Sequence, residues 1–597
     1  MVAVDGRSLV TIIPSFSTFP MKHNQTIAMH HVSHLQEMIA AARGEGQADL
    51  LIANVRLVNT LAGEIHPASV AVRNGVVLGF EEYPARKVVD GKGAFLCPGF
   101  IEAHMHIEST LLAPAVFAGA AAARGTVAVV CDPHEIANVL GVEGIDYFAR
   151  STEDLPVGVY FMLSSCVPAT HLENAGASIG PAQMRDLLAR YPGRFLGLGE
   201  MMNFPGVVHG DPDVLAKLEL AGDLLVDGHA PGLLGRDLNA YILAGPGSDH
   251  ECVRLDEARE KLRKGMQIMI RQGTSEKNMA DLLPLVTEHN WPRFSLVSDD
   301  LHPEDLVGKG HLDELLRRAV QLGLDPVRAV QLVTINPARY FGLRRWGAVA
   351  PGYRADLVLV EDLVDFKIRE VYLGGQVLDD LTFESRVDLP GNSMHVRELG
   401  EHSLAVPAKG RTVRVIEIVP GQIVTAAALG RPVIRDNLAH ADPAADLVKL
   451  AVVERHRATG NIGLGFVRGL GFQNGAIAST VAHDSHNLII AGTCDRDMLV
   501  AAEEAQRLCG GLVAVQGGAV LASLPLPVAG LMSDKPLDDV VRAMNDLTRV
   551  CRAMGLTHAN PFMILSFLAL PVIPELKLTD KGLVDVNRFE LTGLWAD

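Results

Sequence analysis

Two histidines one residue apart, His104 and His106, sit in the run from Pro98 to Thr110. They follow an apolar stretch, Ala94 to Ile101, broken by Pro98 and Gly99. On a strand, side chains at i and i+2 point to the same face, so both imidazoles can reach one metal ion while Met105 turns away. Taken alone, His-x-His is as easily two histidines on a half-exposed strand. Further candidates follow in order: Glu200 after Gly199, His229 after Asp227-Gly228, His250 in Ser248-Asp249-His250-Glu251, and Asp299 in Ser298-Asp299-Asp300. Imidazole and carboxylate donors suit zinc, manganese or ferrous iron, and such ions make water nucleophilic at neutral pH. Each residue also has an ordinary reading. Glu200 can be an ion-pair partner, His229 and His250 can cap loops, and Asp299 or Asp300 can cap a helix. His134, His302 and His311 are read as neighbours of a site or surface groups rather than as ligands.

The elements that must position these residues alternate. Strands Val127–Cys131, Val159–Leu163, Phe195–Leu198, Leu224–Asp227, Gln267–Ile270 and Phe294–Val297 interleave with helical stretches such as Gly180–Tyr191, Pro212–Ala221 and Leu255–Lys264. About eight βα units over about 250 residues suit a (β/α)8 barrel, where chemistry sits at the C-terminal strand ends. All six candidate ligands fall at such ends. Short β-branched runs lie on either side of the barrel, at 48–96 and from Gly347 to Leu378. The expected fold is therefore α/β: a (β/α)8 barrel (97–343) inserted in a small β-sandwich domain (48–96 and 344–410, the latter with a polar connector). A C-terminal α/β domain (411–597) follows. Residues 1–47 are expected to comprise a loose extension over residues 1 to about 27, ordered only by docking, and a short helix His31–Arg43.

At 597 residues with 48% hydrophobic content, the chain can bury several cores and is not disordered. The formal charge of −17 argues against a broad nucleic-acid-binding surface and fits a small neutral or cationic substrate. Seven cysteines without a C-x-x-C pair make a disulfide framework or thiolate cage improbable and point to the cytoplasm. No run is long and apolar enough to span a bilayer, and no secretory signal is evident.

The ligand order resembles the amidohydrolase superfamily. The words Asp-Pro-His-Glu-Ile-Ala-Asn-Val (132–139), Ser-Ser-Cys-Val-Pro-Ala (164–169), Glu-Met-Met-Asn-Phe-Pro-Gly-Val (200–207), Gly-His-Ala-Pro-Gly (228–232), Val-Ala-His-Asp-Ser-His-Asn (481–487) and Leu-Pro-Leu-Pro-Val-Ala-Gly-Leu-Met (524–532) are similar to its adenine deaminase branch. The resemblance implies metal-dependent conversion of free adenine to hypoxanthine and ammonia by a homodimer or higher homo-oligomer. It implies two divalent ions, manganese or ferrous iron ahead of zinc. His104, His106 and Asp299 would hold one ion and His229 and His250 the other, with Glu200 bridging. Asp299 would shuttle protons, and Glu135 would serve ring nitrogen N1 unless it is only a helix-start carboxylate. Arg271 would fix the purine or a neighbouring carboxylate. The turn carrying His483 and His486 would close the pocket or merely stabilise its own domain. The zinc base deaminases' combined motif, His-x-Glu with Pro-Cys-x-x-Cys, is absent. A cyclic amidase, a sugar deacetylase or a degenerate binding protein are the competing readings. Glu102 and Asn203 stand where the family commonly or sometimes has Asp.

Overall fold

The structure, a computed structural model, describes residues 32–420, 422 and 424–597. The expected extension at 1–27 and the first residue of the predicted helix, His31, lie outside the described residues. The helix itself runs Val32–Ala42.

Eight parallel strands form the barrel. Phe100–Met105, Thr126–Cys131, Gly158–Leu163, Phe195–Met201 and Leu225–Gly228 make one sheet, and Ser248–Asp249, Gln267–Arg271 and Phe294–Val297 make another. Backbone hydrogen bonds close both seams: Gly247 N donates to Val226 O at 2.9 Å, and Asp299 N donates to His104 O at 3.2 Å. The second seam lies at the strand ends where the candidate ligands sit. The strands are buried on both faces, as apolar runs enclosed by helices should be. Phe195–Met201 extends three residues beyond its predicted end, so Glu200 belongs to the strand rather than to the loop after it.

The flanking segments, expected to pair with each other, hydrogen-bond into one continuous eight-stranded sheet. Strand Phe95–Pro98 pairs with Ala48–Asn59 on one side and Leu357–Val360 on the other. Alternate residues serve two cores. Leu57, Leu96, Leu357 and Leu359 pack among themselves, while Val58, Cys97, Val358 and Val360 join the barrel.

The C-terminal segment holds a second eight-stranded sheet, largely antiparallel, with one parallel pairing between Val413–Ile418 and Ile462–Arg468. Helix Asp495–Arg507 covers one face through Met498, Ala501, Ala502 and Ala505. The other face, with Leu450, Ile477 and Leu512, meets helix Leu537–Ala553 in a core continuous with the barrel's. Polar contacts reinforce the join: Asn174 N donates to Asp580 Oδ1 (2.9 Å) and Asn487 Nδ2 to Asn174 O (2.7 Å). Among the described residues no helix is long and apolar enough to cross a membrane.

Candidate active site in the barrel mouth

The six candidate side chains converge at the C-terminal end of the barrel. Glu200 is central, and its two oxygens face different partners. Oε1 lies 2.9 Å from His106 Nε2 and 3.3 Å from His104 Nε2. Oε2 lies 2.7 Å from His229 Nδ1 and 3.4 Å from His250 Nε2. Asp299 Oδ1 stands 3.3–3.4 Å from His106 and His104. His104 and His106, Glu200, His229 and His250, and Asp299 thus form overlapping groups able to surround metal ions. His104 Nε2 and Glu200 Oε1 are buried without a hydrogen-bond partner. Unpaired buried lone pairs are costly unless a cation meets them, so this donor set fits divalent metal.

The scaffold explains the aim of each group. His106 Nδ1 lies 2.9 Å from Asp132 O, a contact that needs a ring N–H and leaves Nε2 bare toward the centre. Glu102 accepts from His104 N (3.1 Å) and Ser298 N (3.0 Å), stapling the first strand end to the last. Asp132 accepts from Glu200 N (2.9 Å) and Ser164 Oγ (2.7 Å). A Cβ on Gly199 would sit 2.2 Å from that carboxylate, so the glycine before Glu200 makes room for Asp132. Lys261, fully buried, donates to Ala230 O (2.6 Å), Asp249 Oδ2 (2.6 Å) and Glu257 Oε1 (2.8 Å), tying together the loops that carry His229 and His250. Asp132, Gly199 and Lys261 were missed in the sequence. The visible signals were the polar word Asp132–Glu135 after one strand and the glycine before Glu200 at the end of another, whereas Lys261, at a solvent-like helical position, gave none.

Charge is balanced inside the cluster. Burial pushes the Glu200 and Asp299 carboxyls up, but His250 and His106 around the first, and Arg271 and His104 around the second, hold both well below the usual range. Burial likewise opposes charge on His104, yet Asp299 and Glu200 raise it to about 10. Arg271 donates to Asp299 Oδ2 (2.8 Å) and pairs with Glu251, so it grips carboxylates. Asp299 itself has φ +56°, in the left-handed region that Asp tolerates better than most residues.

Glu135 begins helix His134–Leu140 and meets His483 and His486 of the C-terminal segment. His134 stands between the two clusters, 3.9 Å from Glu200 Oε1 and 3.6 Å from Glu135 Oε1. His302 and His311 are also buried, which removes the surface reading for all three. His311 lies 3.3 Å from Glu102 Oε2. Asn203 caps helix Phe204–His209 by accepting from Gly206 N.

A closed parallel barrel with histidines and carboxylates at its strand ends is the architecture of a metal-dependent hydrolase, and residues 95–378 match the family model described as "Amidohydrolase family". Residues 422–590 match the model described as "Adenine deaminase C-terminal domain". Proteins named adenine deaminase align over nearly the whole chain. That of Oleidesulfovibrio alaskensis is 54% identical over 94% of this chain and 99% of the relative. Those of Desulfatibacillum aliphaticivorans and Methanothrix thermoacetophila are 49% and 48% identical, over 94% and 93% of this chain and 99% and 98% of the relatives. The chain belongs to the adenine deaminase family.

Proposed function

We propose that this protein hydrolyses adenine to hypoxanthine and ammonia, using divalent metal in the barrel mouth. The observation that carries this reading is the near full-length likeness to proteins of that name, which includes the C-terminal segment meeting Glu135. His104, His106 and Asp299 would hold one ion and His229 and His250 a second. Glu200, with one oxygen toward each group, suits a bridge between them. An imidazole and carboxylate donor set suits manganese, ferrous iron or zinc, and the family likeness puts manganese or ferrous iron ahead of zinc. When bound, such ions lower the pKa of water from about 15.7 to about 7, which supplies the nucleophile.

The chain's own groups then manage protons and orientation. Asp299 takes a proton from the attacking water and delivers it to the amine leaving C6. Arg271, clamped between Glu251 and Asp299, holds that carboxylate in place and acts on the purine only through it. Glu135 and His483 belong to the side facing the base. The functional units follow as 48–96 with 344–410, 97–343 and 411–597, preceded by 1–47. The matched spans 95–378 and 422–590 support the last two.

The test is turnover of adenine, adenosine, cytosine, dihydroorotate and N-acetylglucosamine 6-phosphate, before and after metal removal and manganese reloading. Adenine alone is expected to react, giving hypoxanthine and ammonia in equal amounts, with activity lost on chelation and restored by manganese. Fully metallated protein that leaves adenine untouched would overturn the reading.

A further inference from the structure

Glu135, His483 and His486 are all buried, and their donor atoms lie close enough together to ring a metal ion. The hydrogen bonding assigns them another use. The amide of Ala482 can only donate, and it points at His486 Nδ1 from 3.1 Å. Nδ1 therefore presents its lone pair and the neutral ring carries its proton on Nε2, the atom facing Glu135 Oε2. A nitrogen bearing that proton has no lone pair for a cation. Oε1 of the same carboxylate faces His483 Nδ1. Both oxygens of Glu135 accept from imidazole N–H groups, and Glu135 has no proton of its own to give a base.

His483 is placed differently. Its backbone N–H donates to Ser566 Oγ (3.2 Å), and its ring stacks on Phe567, with centroids 4.9 Å apart and planes 20° from parallel. With Nδ1 held by Glu135, the other nitrogen, Nε2, is bonded by nothing among the described residues. His483 lines a cavity of about 20 Å³ shared with Ser109, His302 and Phe562. That space takes one water. Ser109 Oγ donates to Asp300 Oδ1, next in sequence to Asp299, so the cavity borders the metal-ligand cluster. The turn is fixed from behind by Arg455, fully buried, whose guanidinium donates to the carbonyls of His486, Thr480 and Ala529.

We propose that His483 is the acid–base group serving the purine ring, directly or through one water, and that Glu135 and His486 act through it as positioning residues. The inference rests on the adenine reaction proposed above. As the oxygen of water bonds to C6, the proton on His483 Nε2 passes to N1. The C6–N bond then breaks and its electron pair leaves with the amine, which takes the proton Asp299 drew from the water. The remaining proton on the C6 oxygen returns to His483. The sum is adenine plus water giving hypoxanthine plus ammonia. The electrostatics suit the division of roles. Burial, the largest single influence, would lower His483, but the charge and hydrogen bond of Glu135 together with the charges of Asp300 and Asp484 overcome it and raise the ring to about 9. Burial carries His486 down to about 4 despite the same carboxylate.

The experiment compares manganese-loaded wild type with His483→Gln, His483→Ala, Glu135→Gln and His486→Gln. Each is assayed for kcat and KM on adenine and on 6-chloropurine, whose leaving chloride needs no proton. His483→Gln is expected to lower kcat by about 10²–10³-fold on both substrates, with KM within about threefold and metal content unchanged. Added imidazole is expected to restore part of the His483→Ala rate. Glu135→Gln and His486→Gln should fall less. Normal kcat in metal-loaded His483→Gln, a loss confined to KM, a loss of metal, or no rescue by imidazole would each overturn the inference while leaving adenine turnover intact. Wild type inert toward adenine would overturn the functional reading, and this inference with it.

Discussion

The barrel mouth holds two clusters built from the same side-chain types and completed in opposite ways. Around Glu200, ring nitrogens and carboxylate oxygens face a common space, and His104 Nε2 and Glu200 Oε1 have no hydrogen-bond partner. Around Glu135, donors and acceptors alternate, and both carboxylate oxygens are met by ring nitrogens. In the reading proposed above, the first arrangement would seat cations and the second would be a proton network. Proximity of histidine and glutamate does not distinguish them. What distinguishes them is the backbone amide at His486 Nδ1 and the backbone carbonyl at His106 Nδ1, which set opposite tautomers.

The sharpest way to break this comparison is Glu200→Gln. It should lower adenine turnover by at least about 10³-fold, because both metal groups lose their shared carboxylate. Manganese should also no longer raise the unfolding temperature, whereas Glu135→Gln should keep that rise if, as proposed, only the first cluster binds the ion. If Glu135→Gln also lost the manganese-dependent rise, the second cluster would be a cation site after all.

A smaller effect concerns acid. Burial pushes the Glu135 carboxyl up, but His483 and His486 hold it well below the ordinary carboxylate range. A carboxyl depressed in the folded state stabilises at pH values above its unfolded pKa of about 4.3, and that stability is lost as pH falls through the folded value. In metal-free protein, thermal unfolding followed from pH 7 to pH 4 and below should therefore fall less steeply for Glu135→Gln than for wild type. Equal slopes would mean the carboxylate is not held by charge.

The smallest effect is a control outside both clusters. Asp211 caps helix Pro212–Ala221, between the strands bearing Glu200 and His229, by accepting from Asp213 N and Val214 N. Asp211→Ala should cost about 1 kcal/mol of stability and leave kcat and metal content within twofold. A larger loss of activity would mean that either cluster feels general loosening of the barrel, and the comparison would lose its sharpness.

Much of this was legible in the sequence because strand ends are where a parallel barrel displays its side chains. The spacing of His104, His106, Glu200, His229, His250 and Asp299 against βα units was enough to predict that they meet. The elements themselves were also readable: helix Pro212–Ala221 and strand Phe294–Val297 have the limits their patterns implied. Partnerships across long separations were harder. The docking of the His483–His486 turn over the mouth could be posed from its polar residues between apolar strands. That both imidazoles close on Glu135, some 350 residues earlier, could not, because no local period encodes it. Lys261 was illegible for a related reason, since two of its partners, Ala230 and Asp249, lie on other elements that the helical pattern does not reveal.

The strand Phe95–Pro98 lies between one neighbour made before the barrel and another made after it. During synthesis at about 5–20 residues per second, roughly 13–50 s separate the emergence of Pro98 from that of Leu357. For that interval one edge of the half-built sheet stays open, with the unpaired backbone groups that recruit stray strands. The same strand runs through Gly99 into Phe100–Met105, the strand that carries His104. Sealing the sheet with Leu357–Val360 is thus the chain's own record that the whole barrel has been made, and a ribosome stalled inside the barrel leaves a nascent chain marked by that open edge.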